Sequence, residues 1–85
     1  MHIVIFPVQI SAARVLLGIG QKELASAASV ALGTVKRIEA AREELTGNAQ
    51  TMGRIQRALE ATGIEFIEQD GRSGPGVRLR KPIRL

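Results

Sequence analysis

Few side chains in this 85-residue chain are suited to making or breaking bonds. His2 is the single histidine and stands at the N-terminus, Cys is absent, and no pair of acids expected to be buried or metal-ligand spacing accompanies it. General acid–base catalysis, thiolate chemistry and a metal site therefore lack their residues. The glycine-rich run Gly71-Arg72-Ser73-Gly74-Pro75-Gly76 has no Lys-Ser or Lys-Thr pair at its end, as a phosphate-binding loop requires, and it reads as a turn. No enzyme, no metal and no cofactor is expected. What the chain has in number is cations: 12 Lys and Arg against 8 Asp and Glu, a formal charge of +4. That balance suits a polyanion. It is unevenly placed, because Arg72, Arg78, Arg80, Lys81 and Arg84 give residues 72–85 a charge of +5, whereas residues 1–71 sum to −1. A solvated basic tail has the same composition, so charge alone does not identify DNA. Phe6 and Phe66 are the only aromatics, which leaves no stacking platform for single strands and makes duplex DNA the remaining nucleic-acid partner.

The elements that must position these charges follow from apolar spacing. The length is about 0.6 of a typical domain, so one domain spanning residues 1–85 is expected. Ile3-Val4-Ile5-Phe6 is continuous and β-branched, and it predicts a short strand covered on both faces and stopped by Pro7. The same run is too short for a membrane span, and with no export signal or Cys the expected location is the cytoplasm. Ile10, Ala13, Leu16 and Leu17 recur at helical spacing over about 8–17, with Gly18 as a left-handed cap. Gly20 as N-cap and Glu23 three residues on start a second helix, 21–28, with Leu24, Ala25 and Ala28 inside. A third runs from Leu32 to about Glu43 on Val35 and Ile38. Asn48 caps a fourth, built on Met52, Ile55 and Leu59 and closed by Gly63. The period then changes to alternation, giving strands at about 64–68 and 76–80 joined by an Asp70–Gly76 loop. The fold class is mainly α.

Helices two and three carry the functional signal. Gln21-Lys22-Glu23-Leu24-Ala25, then Ala28-Ser29-Val30 and Thr34-Val35-Lys36-Arg37-Ile38-Glu39, closely resemble the helix-turn-helix of Cro and phage-repressor-type (XRE-like) transcriptional regulators. The spacing has a physical basis: small Ala25 lets the two helices cross closely, and Val30, Val35 and Ile38 pin the crossing from inside. Ala12-Ala13-Arg14, Leu16-Leu17-Gly18, Ala58-Leu59-Glu60-Ala61, Gly63-Ile64-Glu65-Phe66 and Gly74-Pro75-Gly76-Val77-Arg78-Leu79 extend the likeness over about residues 10–80. The resemblance implies a lambda-repressor-like four-helix DNA-binding domain with the motif at about 21–43. An unrelated four-helix packing would use Ala25, Val30, Val35 and Ile38 merely as core.

The resemblance also implies roles. Family members read base edges from the first two positions of the second motif helix and from one turn on, here Leu32, Gly33 and Arg37, with Lys36 beside them. Arg37 has the fork for guanine O6 and N7, and Lys36 suits guanine or phosphate. Gln21 matches the position that meets the DNA backbone, and Thr34, Arg42, Asn48 and Thr51 are further backbone candidates by position. Gln50, Arg54 and Arg57 share a face of helix four that reads as solvated. The chain departs from the family pattern in three places. Ser29 stands where the tight turn has Gly, so either it takes a left-handed conformation at a cost of about 1–2 kcal/mol or the turn differs. Ala31 replaces a capping Ser or Thr, a loss of about 1 kcal/mol. Leu32 and Gly33 replace polar readers, leaving a thymine methyl contact, close backbone approach or DNA shape to discriminate.

These readings lead to a regulator, expected to repress as a homodimer on a partly palindromic operator, with Ile3, Val4, Ile5 and Phe6 as the strand-mediated dimer interface. Two alternatives belong to other classes: an antitoxin that also masks a toxin, and an antiactivator-like protein-interaction module that has lost its operator. The apolar Leu32 and Gly33 favour the second.

Overall fold

A computed structural model describes residues 4–45 and 47–85. Four helices, α1 (Pro7–Leu17), α2 (Gln21–Ala28), α3 (Leu32–Ala40) and α4 (Ala49–Ala61), precede a hairpin of β1 (Ile64–Ile67) and β2 (Gly76–Leu79). About half the chain is helical. The strands pair antiparallel with Ile64 opposite Leu79 and Phe66 opposite Val77, so the apolar alternation of both falls on one face.

Each helix start has its own solution for the first free amides. Pro7 opens α1 where no amide is needed, and the Phe6 amide donates to Gln9 Oε1 at 2.7 Å. In α2 the Gly20 amide donates to Glu23 Oε1 at 3.0 Å. In α4 Asn48 Oδ1 accepts from the Thr51 amide at 2.8 Å. α3 is the exception: Ala31, the residue that caps it, offers no side-chain acceptor. Gly18 closes α1 at φ 71°, a conformation that favours glycine.

The core joins all the helices to the hairpin: Ile10 and Ala13 from α1, Leu24, Ala25 and Ala28 from α2, Val35 and Ile38 from α3, Ile55 and Leu59 from α4, with Ile64 and Phe66. Ile10, Leu24, Ile38, Ile55, Leu59 and Ile64 are fully buried, and each contributes about 1.5–3 kcal/mol relative to exposure. Gln9, polar yet 2% exposed, fastens the hairpin to α1 by donating from Nε2 to Gly76 O at 3.0 Å and Ile67 O at 3.2 Å.

Three expectations are corrected. No strand forms at Val4–Phe6, and Ile3 lies outside the described residues. The segment instead runs into α1: Ile5 is buried in the chain's own core, Phe6 is half-buried and Val4 is 60% exposed. Second, α3 stops at Ala40, because Arg42 turns left-handed at φ 54° and its carbonyl accepts the Val8 amide of α1 at 2.9 Å. Third, Leu16 faces solvent at 45% exposure, since Ile10 and Ala13 alone form the fully buried stripe of α1 apart from its first turn. No helix among the described residues is long and apolar enough to cross a membrane.

Candidate nucleic-acid interface

The turn between α2 and α3 is three residues, Ser29–Ala31, and Ser29 adopts φ 57°, ψ 45°. Of the two expectations for this turn, the strained one holds: a serine occupies the left-handed corner that would cost glycine nothing. Val30 packs partly buried against the core and its amide reaches Ala25 O at 3.0 Å, fixing the direction in which α3 leaves.

With Val35 and Ile38 pointing inward, helical geometry puts Gly33, Lys36, Arg37 and Ala40 on the opposite side, and all four are exposed. Glu39, the one acid in α3, is turned away from them and is 9% exposed. Arg14 Nε donates to Glu39 Oε2 at 2.8 Å and Nη2 to Oε1 at 2.8 Å, Ser11 Oγ donates to Oε1 at 2.9 Å, and Gln21 Nε2 donates to Oε1 at 3.2 Å. Burial opposes charge on this carboxyl, but the bonds from Arg14, Ser11 and Gln21 together with the Arg14 charge outweigh it and hold Glu39 below the usual carboxylate range. The acid of α3 is thus neutralised from α1, and the helix presents Lys36 and Arg37 outward without a competing carboxylate of its own. Among the described residues neither cation forms an ion pair; the two such pairs are Arg14–Glu39 and the exposed Arg78–Glu65.

The remaining candidate residues divide. Gln21 stands at the first position of α2, tied to α3 through Glu39, with one amide hydrogen and its oxygen uncommitted to that bond. Arg42 is exposed just past the end of α3. Asn48 and Thr51 form the cap of α4, and Gly47 just before it lies near the inner side of α3, where a Cβ placed on it would be 3.4 Å from Cδ1 of the buried Ile38. The start of α2 therefore adjoins α3, through Gln21 and Glu39. Leu32 and Thr34 are half-buried, Leu32 against the core, so they contribute less outward surface than Gly33, Lys36 and Arg37.

The basic tail is partly committed within the molecule. Arg78 makes a two-point bridge to Glu65 at 2.9 and 3.1 Å, and Arg80 Nη2 donates to Glu60 O at 2.7 Å, capping the carbonyl end of α4. The hairpin loop is closed by Asp70, which accepts the Arg72 and Ser73 amides at 2.7 Å each. Sequence reading did not single out Gln9, Glu39 or the Arg14–Glu39 bridge. A signal existed for Gln9, which stands three residues after the helix-capping position, where a Gln or Glu reaches back.

No protein-family model matches the chain, and a search of curated proteins returns no match.

Proposed function

We propose that the four helices form a lambda-repressor-like helix-turn-helix domain and that the protein is a transcriptional regulator binding duplex DNA as a homodimer. The observation that carries this reading is the outer face of α3, where Lys36 and Arg37 are exposed beside Gly33 while the helix's only acid is buried against Arg14. A helix about 10–12 Å across with such a face matches the major groove in width and sign. Arg37 reads guanine through two parallel bonds, and Lys36 meets guanine or phosphate. Gln21 is bonded to this helix and Arg42 follows its end; with the α4 cap residues Asn48 and Thr51 they set register on the DNA backbone. Two copies related by a twofold axis would place two α3 helices about 34 Å apart on one face of the duplex.

The test is selection from a random-sequence duplex pool with the purified protein. Enrichment of a partly palindromic sequence, its half-sites one helical turn apart, is the expected result. A pool that emerges unenriched would overturn the proposal.

A further inference from the structure

One edge of the hairpin has backbone groups with nothing to pair with. The Arg80 amide donates to Gly63 O at 2.8 Å, which sets the alternation of the antiparallel ladder: Glu65 and Arg78 exchange bonds, as do Ile67 and Gly76. Val77 and Leu79 therefore turn their amides and carbonyls away from β1. Among the described residues no strand lies beyond β2, and no other element supplies a bond to these four groups. The outer edge of β1 differs, since Ile64 O there lies 3.4 Å from Arg80 Nη2. The side chains of Val77 and Leu79 pack against the core, so the solvent face of β2 belongs to Arg78.

The charges around this edge choose its occupant. Arg78 donates from Nε and Nη2 to Glu65 on the β1 side, while its Nη1 makes no bond among the described residues. Lys81 and Arg84 follow, both exposed and outside the two ion pairs. Residues 72–85 carry +5 and no acid, so a second copy joined through β2 would set like charges against one another along the seam. We infer that the edge of β2 is a docking site for an extended acidic segment of a partner protein, which adds a third strand to the hairpin. The backbone of that segment pairs with Val77 and Leu79, a carboxylate on its solvent face reaches the free side of Arg78, and further acids meet Lys81 and Arg84. Its alternate residues face the core side and are apolar. The inference is independent of duplex DNA, because it uses the hairpin and the tail and no residue of α3.

Amide hydrogen exchange followed by NMR reads this edge directly. In the protein alone, Val77 and Leu79 should exchange fast and Arg78, bonded to β1, slowly. A capped seven-residue peptide alternating Glu and Val should slow Val77 and Leu79 by at least about tenfold and leave Arg78 unchanged. The same peptide with Lys in place of Glu should slow neither. Backbone pairing uses every second amide of a strand, so N-methylation of one alternate set should weaken binding by at least about fivefold, the scale of two lost hydrogen bonds, and methylation of the other set should not. Slow exchange at Val77 and Leu79 in the protein alone would show the edge already taken by a second copy and overturn the inference. Failure of the Glu–Val peptide to slow them would overturn it too. So would equal slowing by the Lys peptide or by random duplex DNA, or equal losses from the two methylated sets, since charge without strand pairing would then account for the binding.

Discussion

Arg14 of α1 grips Glu39 of α3 at two points, Nε to Oε2 and Nη2 to Oε1, each 2.8 Å, across 25 residues of sequence. The same guanidinium donates from Nη1 to Ile19 O at 3.1 Å, so one side chain fastens α1, the connection to α2, and α3. Ser11 and Gln21 complete the set of donors. The bridge is mostly shielded, with side-chain exposures of 17% for Arg14 and 7% for Glu39. At that depth a two-point pair orients its partners, and removal of one leaves the other without its counter-charge.

Glu39→Gln should therefore lower stability at pH 7 by about 2–3 kcal/mol. The pH dependence has a definite sign. Glu39 is held below its ordinary range, so its contribution is fully present above the unfolded value of about 4.3 and is lost as pH falls through the lowered native value. Asp70, lowered by the Arg72 and Ser73 amides, and Glu65, lowered by Arg78, titrate in both proteins. The difference in Tm between wild type and Glu39→Gln, followed from pH 7 to pH 2, should thus narrow in acid. A constant difference would show that the charge of Glu39 contributes nothing.

Arg37→Ala should lose about 1–3 kcal/mol on the selected duplex and relax the preference at one base pair, whereas Gln21→Ala should weaken selected and random duplexes alike. Because Gln21 also donates to Glu39, its variant is expected to lower Tm, and Arg37→Ala is not. Equal losses on selected and random DNA for Arg37→Ala would remove Arg37 from base reading.

Ser29 and Arg42 bracket α3 in left-handed conformations at φ 57° and 54°. Glycine at either position should stabilise the fold by about 0.5–1 kcal/mol, the relieved strain less the extra freedom of the unfolded chain. Their effects on binding should part. Ser29→Gly should leave the salt dependence of DNA affinity unchanged, while Arg42→Gly should reduce the log–log slope by about 0.9 if its cation neutralises one phosphate. Identical slopes for Arg42→Gly and the wild type would leave Arg42 off the DNA.

The hairpin divides the tail cations into internal and available ones. Arg80→Gln should lower Tm, because Glu60 O loses one of its two donors and keeps only the Gly63 amide, and should leave the salt slope unaltered. The double variant Lys81→Gln, Arg84→Gln should do the reverse, with Tm held and the slope reduced. A slope that falls for Arg80→Gln would show that the guanidinium leaves α4 for a phosphate.

The apolar periodicity made most of the helical frame legible. Leu24, Ala25 and Ala28 fixed α2 to the residue, and the alternation Ile64, Phe66, Val77, Leu79 marked the hairpin, because these side chains must all meet one core. Polar residues that act in pairs were not legible. Nothing in the local pattern of α1 says that Gln9 spans to the carbonyls of 67 and 76, or that Arg14 meets an acid 25 residues on. The end of α3 was misplaced because Arg is an uncommon left-handed residue, and its effect there depends on the Val8 amide, a tertiary partner. The run at 3–6 looked like a strand through β-branching alone. Pro7 at the first helical position and the Gln9 bond to the Phe6 amide commit Val4–Phe6 to leading into α1 instead.

That change alters how assembly should be tested. Ile5 belongs to the core and the Phe6 amide to the cap of α1, so deleting residues 1–6 would damage the fold as well as any interface. Val4 carries the testable part: it is 60% exposed and lines a groove with Leu45, itself 64% exposed, and with Ala49, Met52 and Gly53 of α4. Two bulky apolar side chains flanking a groove that Gln50, Gln56 and Arg57 also border are unfavourable in water and are covered when a twofold copy packs there. The hairpin, two strands with no third partner among the described residues, also leaves edges that invite pairing. The wild type should therefore weigh as a dimer by light scattering at micromolar concentration. Val4→Lys should be a monomer with unchanged helical circular dichroism, because it buries a charge in the dimer and leaves the protomer core untouched. Its operator affinity should fall while its affinity for a single half-site stays that of one wild-type subunit. A wild-type monomer, or a dimer undisturbed by Val4→Lys, would remove Val4 and its neighbouring residues from the interface.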